Sequence, residues 1–309
     1  MKAMQVNDAK QGAVLIAVEM PRPEPCPDEI LIHVRAAGVT PTELLWSTTT
    51  QTKEGAARTG AVPGHEFSGV VAALGANVRS FEVGDEVYGM NDWFADGATA
   101  EFCVTLPQNI AKKPATLNHE TAGTVPIAAL TAWQALLERA KIRPGERVLV
   151  HGGAGAVGLF AVQLAHLHGA YVIATVSGED IDFVKQIGAD EAIDYKVTRF
   201  EEHVQNVDAV FDAVGGDTLK RSWSVLKSGG RVVTIAADIE AATEQRLKDA
   251  FFIVEPNQKQ LVETAKQLDE GHLKAFVKAI VPLEQASAAY SGALKIKNGH
   301  GKLVIAIPA

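Results

Sequence analysis

Between Arg147 and Gly169 the chain reads RVLVHGGAGAVGLFAVQLAHLHG, with glycines at 152, 153, 155 and 158. Gly153-Ala154-Gly155-Ala156-Val157-Gly158 satisfies G-x-G-x-x-G, and the chemistry this spacing serves is the holding of a pyrophosphate. The first glycine permits a tight strand-to-helix turn and the second lets backbone N–H groups approach the phosphates. The third lets the helix pack closely on its strand, while the helix N-terminus offers unpaired donors and a partial positive charge. A lone match is weak evidence. Here an apolar strand (Arg147 to His151) precedes it and an apolar helix follows, which is the context a dinucleotide site requires. Gly152, Gly153, Ala154, Gly155, Ala156 and Val157 are therefore candidate cofactor contacts.

A second group of residues bears on which dinucleotide. The strand Tyr171–Val176 ends in Val176-Ser177-Gly178. An NAD-preferring site places Asp or Glu there to bond the ribose hydroxyls, and that carboxylate repels a 2′-phosphate. A small neutral turn at Ser177 leaves room for the phosphate, so NADPH is expected ahead of NADH. Glu179-Asp180, just beyond, argues the other way. Lys185 and Lys196 are the basic residues at hand, and each also reads as an ordinary surface lysine.

These groups need elements to position them. From Arg147 onward apolar strands alternate with helices: RVLVH, helix Ala156–His168 closed by Gly169, YVIATV, a helix near Asp180–Ile187, EAIDY, a helix near Arg199–Gln205, DAVFDAV, helix DTLKRSWSVL and strand RVVTIAA (Arg231 to Ala237). This alternation predicts a parallel, doubly wound sheet. The preceding part is β-rich. EILIHVRAAGV, FSGVVAALG, DEVYGM and AEFCVTL are short strands bounded by turns, after the helix- and strand-resistant PRPEPCPDE. A helical pattern covers TAGTVPIAALTAWQALLERA. After Ala237 come a polar helix, a short strand FFIV (Phe251 to Val254), a helix Gln258–Asp269, strand FVKAIVPL, helix Glu284–Lys295 and strand GKLVIAI.

Composition excludes several classes. With 309 residues, 47% hydrophobic and 21% charged, the chain has the make-up of a globular protein with room for two domains. The net charge is −8 and no stretch concentrates Lys and Arg, so neither nucleic acid nor an anionic membrane surface is an expected partner. Two cysteines, Cys26 and Cys103, are too few for a disulfide framework. No apolar run is long enough to span a bilayer, and MKAMQVNDAK lacks the apolar core of a signal peptide. A cytoplasmic protein is expected.

AAGVTPTE (Ala36 to Glu43), PGHEFSGVV, VGDEVYG, GATAEF, PIAALTAWQAL, the glycine-rich turn, GADEAIDY and GGRVVTIA occur in an order and spacing that resemble the medium-chain dehydrogenase/reductase superfamily. The resemblance is to its zinc-free, quinone oxidoreductase-like branch and spans nearly the whole chain. It implies a β-rich, GroES-like catalytic domain over 1–122 and 271–309, a Rossmann domain over 123–270, an active site in the cleft between them, and a homodimer through FFIV. The zinc enzymes of the superfamily use Cys, His and a second Cys or carboxylate. Here Thr40 stands at the first thiolate position and the four-Cys lobe is absent. His65 matches the zinc histidine, but one histidine cannot supply the three protein ligands of a catalytic site. No zinc is expected, with His65, Glu66 and Glu43 serving as hydrogen-bonded wall or structural residues.

Without zinc, the expected reaction is hydride transfer to an acceptor whose conjugation spreads the developing charge, a quinone or other α,β-unsaturated carbonyl. The protein must orient it and hydrogen-bond the enolate-like oxygen. Thr40, where related reductases carry asparagine, is the candidate catalytic residue, against ordinary turn hydrogen bonding. Where relatives have a tyrosine the chain reads Leu44-Leu45-Trp46, so a tyrosine acid there is in doubt. Trp46, Trp93 and Phe94 are candidate aromatic walls for a flat substrate, with ordinary packing an equal reading. By resemblance, Thr131, Ala236, Phe252, Ile253 and Lys302 lie near the nicotinamide and Tyr195 near the adenosine phosphate. Two alternatives stand beside this reading: an enoyl-thioester reductase and a non-catalytic NADPH-binding redox sensor.

Overall fold

The structure, a computed structural model, describes residues 1–7, 14–236, 242–296 and 299–308. These residues contain the strands β1 (Lys2–Asn7), β2 (Val14–Glu19), β3 (Ile30–Gly38), β4 (Glu66–Leu74), β5 (Glu86–Met90), β6 (Phe102–Thr105), β7 (Ile110–Lys112), β8 (Arg147–His151), β9 (Tyr171–Val176), β10 (Glu191–Asp194), β11 (Val207–Asp212), β12 (Leu226–Thr234), β13 (Val277–Pro282) and β14 (Lys302–Ala306). The chain divides into two compact units, residues 1–127 with 256–309, and residues 128–255.

The first unit is built on a mostly antiparallel sheet in the order β13-β14-β3-β4-β5-β7, with β6 also pairing β3 and β1 pairing β2 separately. The apolar run ILIHVRAAG explains why β3 is central. It pairs with β4 along its length, and with β6 and β14 along successive parts of its other edge, so few of its side chains meet water. Ile30, Ile32, Val34, Phe67, Val71, Val87, Ile110 and Ile305 share one core, and each such side chain stabilises the fold by about 1.5–3 kcal/mol. The helix Gln258–Asp269 groups with this unit. Tyr88 donates its hydroxyl hydrogen to the Leu261 carbonyl at 2.6 Å, and Asp269 accepts the N–H groups of Ala115 and Thr116 at 3.1 and 2.9 Å. The sequence places this helix in the 123–270 domain, whereas the compact units divide at 255/256.

The second unit is a five-stranded parallel sheet in the order β10-β9-β8-β11-β12, the doubly wound arrangement expected from the alternation of strands and helices. The helix Ala156–Leu167 packs against β8 and β9 and buries eight successive residues from Gly158 to Ala165, which is why its sequence is apolar nearly all round. Gly169, with φ +75°, follows its end. Leu149, Ile173, Val207, Val210, Leu219 and Val225 fill the core.

Several local expectations are corrected. Phe251–Val254 forms no strand: only Phe251 bridges to Thr234, while Phe252 and Val254 are buried by packing. Phe252 and Val254 find their burial without a ladder partner, and Ile253 between them is exposed. The helix expected near 199–205 is a single 3₁₀ turn, Phe200–Glu202. The helical pattern expected over 121–140 is broken into His119–Ala122, Pro126–Trp133 and π-helical turns Gln134–Arg139; the first break falls where Pro126 has no N–H to continue the earlier helix. The last helix ends at Tyr290, and β12 ends at Thr234; Ala237, expected in that strand, lies outside the described residues. Among the described residues no helix is long and apolar enough to cross a membrane.

Candidate active site

In the second unit the glycine-rich turn joins β8 to the helix Ala156–Leu167. Gly152 has φ +75°, a left-handed conformation that favours glycine. The Gly153 N–H donates to the Thr175 carbonyl of β9 at 3.1 Å, and a Cβ on Gly153 would lie 2.9 Å from Cβ of Ala174. A Cβ on Gly158 would collide with the Gly152 backbone, 2.8 Å from its carbonyl carbon. Gly153 and Gly158 thus let turn, strand and helix close together. Gly155, exposed at the helix N-cap, brings no side chain, and no side chain caps the helix. The N–H groups of the first turn therefore have no intrahelical or capping partner, and Ala154, Ala156 and Val157 are only half-buried beside them. A Cβ on Gly155 would stand 3.2 Å from the Gly152 carbonyl oxygen, so a side chain there would crowd the turn.

At the C-terminal end of β9, Ser177 is buried and its hydroxyl donates to Asp180 Oδ2 at 2.6 Å, with Glu179 Oε1 at 3.3 Å. Gly178 lies against the Asp194 carboxylate. Tyr195 is 60% exposed, and the neighbouring Lys196 ammonium sits 3.8 Å from Glu179. The expected phosphate-recognition residues are adjacent, but three carboxylates share their surroundings. Elsewhere in the same unit, Thr131 is buried on the helix Pro126–Trp133, and the half-buried Ala236 donates its N–H to Thr234 Oγ1 at 3.1 Å. Phe252 is buried beneath the Arg139 guanidinium, 5.1 Å from the ring centroid, whereas Ile253 is exposed.

The first unit carries a buried polar constellation assembled from distant segments. Thr40 ends the loop after β3. Its Oγ1 accepts from Lys302 Nζ at 3.2 Å, and the same ammonium forms an ion pair with Glu66 Oε1 at the start of β4. Lys302 opens β14, and Val304 of that strand pairs with Gly38 of β3, so the sheet register itself brings Lys302 to Thr40. Glu66 Oε2 accepts the Ile127 N–H at 3.0 Å. The Glu66 side chain crosses the Cα of Gly38, where a Cβ would stand 2.6 Å from its Cγ and Cδ, so the glycine of AAGVT makes room for the carboxylate. Burial pushes the Glu66 carboxyl above its usual range despite the Lys302 charge.

A second carboxylate lies alongside. Glu43 accepts from Tyr290 Oη at 2.6 Å and Gly64 N–H at 2.7 Å on one oxygen, and meets His65 Nδ1 at 3.0 Å on the other. Burial opposes the charge, but the bonds from His65, Tyr290 and Gly64 outweigh it and hold the Glu43 carboxyl below its usual range. Burial together with the Glu43 charge pushes the Tyr290 phenol well up. Nε2 of His65 faces the Ala95 carbonyl at 3.3 Å, so both ring nitrogens look at acceptors. Trp93 backs this ring at 5.1 Å and packs edge-on against Trp46 at 4.9 Å, while Phe94 is half-buried beneath Lys53.

Thr40, Glu43, His65, Glu66 and Lys302 thus fall in one unit and interlock. Tyr290 carries no motif in the sequence, where it stands in SAAYSG. Its only signal was aromaticity at the buried side of a short helix. Among the described residues no group of three or more His, Cys, Asp or Glu side chains is arranged to hold a metal ion.

Residues 26–110 match the family described as Alcohol dehydrogenase GroES-like domain, and residues 187–305 the one described as Zinc-binding dehydrogenase. A mitochondrial protein of Arthroderma benhamiae named "Probable zinc-binding oxidoreductase" is 33% identical, over 93% of this chain and 92% of that one. The chloroplastic NADPH-dependent alkenal/one oxidoreductase of Arabidopsis thaliana is 32% identical, over 92% of this chain and 73% of that one. Among solved structures, the quinone oxidoreductase from Coxiella burnetii superposes with a TM-score of 0.88 at 30% identity, covering 100% of this chain and 99% of that one. The fold and these relatives define an oxidoreductase. The chain belongs to the medium-chain dehydrogenase/reductase superfamily, with relatives among its quinone oxidoreductases.

Proposed function

We propose that this chain is an NADPH-dependent reductase that delivers hydride to a quinone or other α,β-unsaturated carbonyl without a catalytic metal. The observation that carries the reading is the Lys302 ammonium against Thr40 Oγ1. Where a zinc enzyme of the superfamily would set its first thiolate, this chain has a neutral hydroxyl touched by a cation. A dication would be repelled there, and His65 has no ring nitrogen turned away from an acceptor.

The residues of the glycine-rich turn fit a dinucleotide: a bare N-cap at Gly155, open N–H groups in the first helical turn, and glycines at the closest approaches. A bound reduced nicotinamide supplies the hydride. The chain's own residues bind its pyrophosphate at 152–157 and offer Thr40 to the acceptor. Because Lys302 donates to Thr40 Oγ1, the hydroxyl keeps its own hydrogen for a developing enolate oxygen. NADPH is supported by the absence of an acid at Ser177 and by the exposed Tyr195 beside Lys196, and by the name of the alkenal/one relative. Seating a 2′-phosphate requires Ser177 to release Asp180.

Stopped-flow oxidation of NADPH and NADH with a panel of quinones and enones, with and without chelator, tests the reading. Turnover that survives chelation and prefers NADPH is expected. Absence of turnover with every acceptor leaves a dinucleotide-binding sensor instead, and stoichiometric zinc by elemental analysis would overturn the metal-free mechanism.

A further inference from the structure

Lys302 is buried, yet its ammonium has two polar contacts only in the described structure, Glu66 Oε1 and Thr40 Oγ1. A buried cation in contact with both a carboxylate and a half-buried hydroxyl is placed to hand a proton to that hydroxyl. The groups around it are Glu66 directly, then Glu43, which meets His65 Nδ1 at 3.0 Å and is bonded by Tyr290. Glu66 is itself held by the Ile127 N–H, so the ammonium is fixed rather than free to swing.

We propose that Lys302 is the internal proton reservoir of the reduction, recharging Thr40 as Thr40 protonates the substrate, with Glu66 positioning the ammonium. The proposal rests on the enone- and quinone-reductase reading above. When hydride has bonded to the β-carbon of an enone, the C=C electron pair shifts and the carbonyl oxygen becomes an enolate. The Thr40 O–H bond then breaks and the proton goes to that oxygen. In the same motion an Nζ–H bond of Lys302 breaks and its proton goes to Thr40 Oγ1, so the hydroxyl is restored. Lys302 is left as an amine and takes a proton from solvent before the next turnover, and the enol reverts to the ketone in water. No other oxidant or reductant enters. This role differs from the cofactor contact that the resemblance implies for Lys302, and the two separate experimentally.

The test uses the full chain with NADPH and an enone that the wild type turns over. Lys302→Met is expected to lower kcat about 100-fold, the range of a lost general acid, while the NADPH Kd from fluorescence titration stays within twofold. A primary amine such as ethylamine should restore part of the rate, and the wild-type solvent deuterium isotope effect should shrink in the variant. Lysine ¹⁵N resonances supply a readout independent of turnover: the Lys302 Nζ signal should shift in Thr40→Val. If Lys302→Met fails to fold because Glu66 is left unpaired, Lys302→Met with Glu66→Leu removes both charges and carries the same expectations. An unchanged kcat with a raised NADPH Kd would make Lys302 a cofactor ligand and overturn the proposal. A slowed variant that amines do not rescue, with the isotope effect intact, would reduce Lys302 to a structural role. No turnover by the wild type with any acceptor sinks the underlying reading and this one together, a result distinct from either.

Discussion

His151, the last residue of β8 before the glycine-rich turn, has no exposed surface. Its Nδ1 lies 3.0 Å from Thr175 Oγ1 and its Nε2 lies 3.0 Å from Ser222 Oγ. Ser222 gives its only hydroxyl hydrogen to the Thr218 carbonyl, so it must accept from His151 Nε2–H, and Thr175 must donate to Nδ1. This assigns one neutral tautomer with both nitrogens satisfied. Protonation would set Nδ1–H against the Thr175 hydroxyl hydrogen. Burial, with the nearby Arg221 charge adding to it, pushes the imidazole down to about 3 from an ordinary 6.5. The sign follows. Below pH 6.5 the unfolded chain takes up a proton that the folded chain refuses until about pH 3, so folding stability falls as pH falls through that window. With these two values the loss from His151 alone is about 2 kcal/mol at pH 5 and about 3 kcal/mol at pH 4, relative to neutral pH. Urea unfolding followed at Trp133 and Trp223, the tryptophans of this unit, measures it from pH 7 to 4. His151→Gln is expected to start less stable but to lose about 2 kcal/mol less than wild type between pH 7 and 5. Parallel stability curves for the two proteins, or a His151 ring resonance that titrates near 6.5, would refute the reasoning.

Four further outcomes are expected. Gly158→Ala forces the helix Ala156–Leu167 off the Gly152 backbone, and fluorescence titration should show NADPH binding weakened at least tenfold, about 1.4 kcal/mol or more. Asp180→Asn frees Ser177 from a carboxylate and removes a charge beside the proposed 2′-phosphate site; the ratio of kcat/KM for NADPH over NADH should rise roughly fivefold, about 1 kcal/mol, and an unchanged ratio would place the phosphate elsewhere. Gly38→Ala displaces Glu66 and with it Lys302, so kcat should fall with NADPH affinity retained. Tyr290→Phe leaves the buried Glu43 one bond short, costing about 1–3 kcal/mol in denaturant unfolding, and a cost near zero would mean that Glu43 is satisfied without it.

The sequence by itself determined those parts whose physics is local. The glycine pattern of residues 152–158 between an apolar strand and an apolar helix pointed to a tight strand-to-helix turn, and the structure shows that turn with an uncapped helix start and close backbone approaches. Alternation of short apolar strands with helices was enough for the doubly wound sheet, because each βα step constrains the next. The missing thiolate at Thr40 was likewise a matter of residue type. Only tertiary structure decided how the polar residues are spent. Lys302 reaches Thr40 and Glu66 across separations of 262 and 236 residues, and Tyr290 reaches Glu43 across 247. No periodicity links such positions; sheet register and packing do. The same holds for Phe251–Val254, read as a strand from its apolarity but paired only by the Phe251 bridge to Thr234, and for Ser177, whose hydroxyl the fold gives to Asp180. Local propensity sets the elements, while pairing across the sheet sets which charges must share a buried space, and that second decision placed an ammonium beside Thr40.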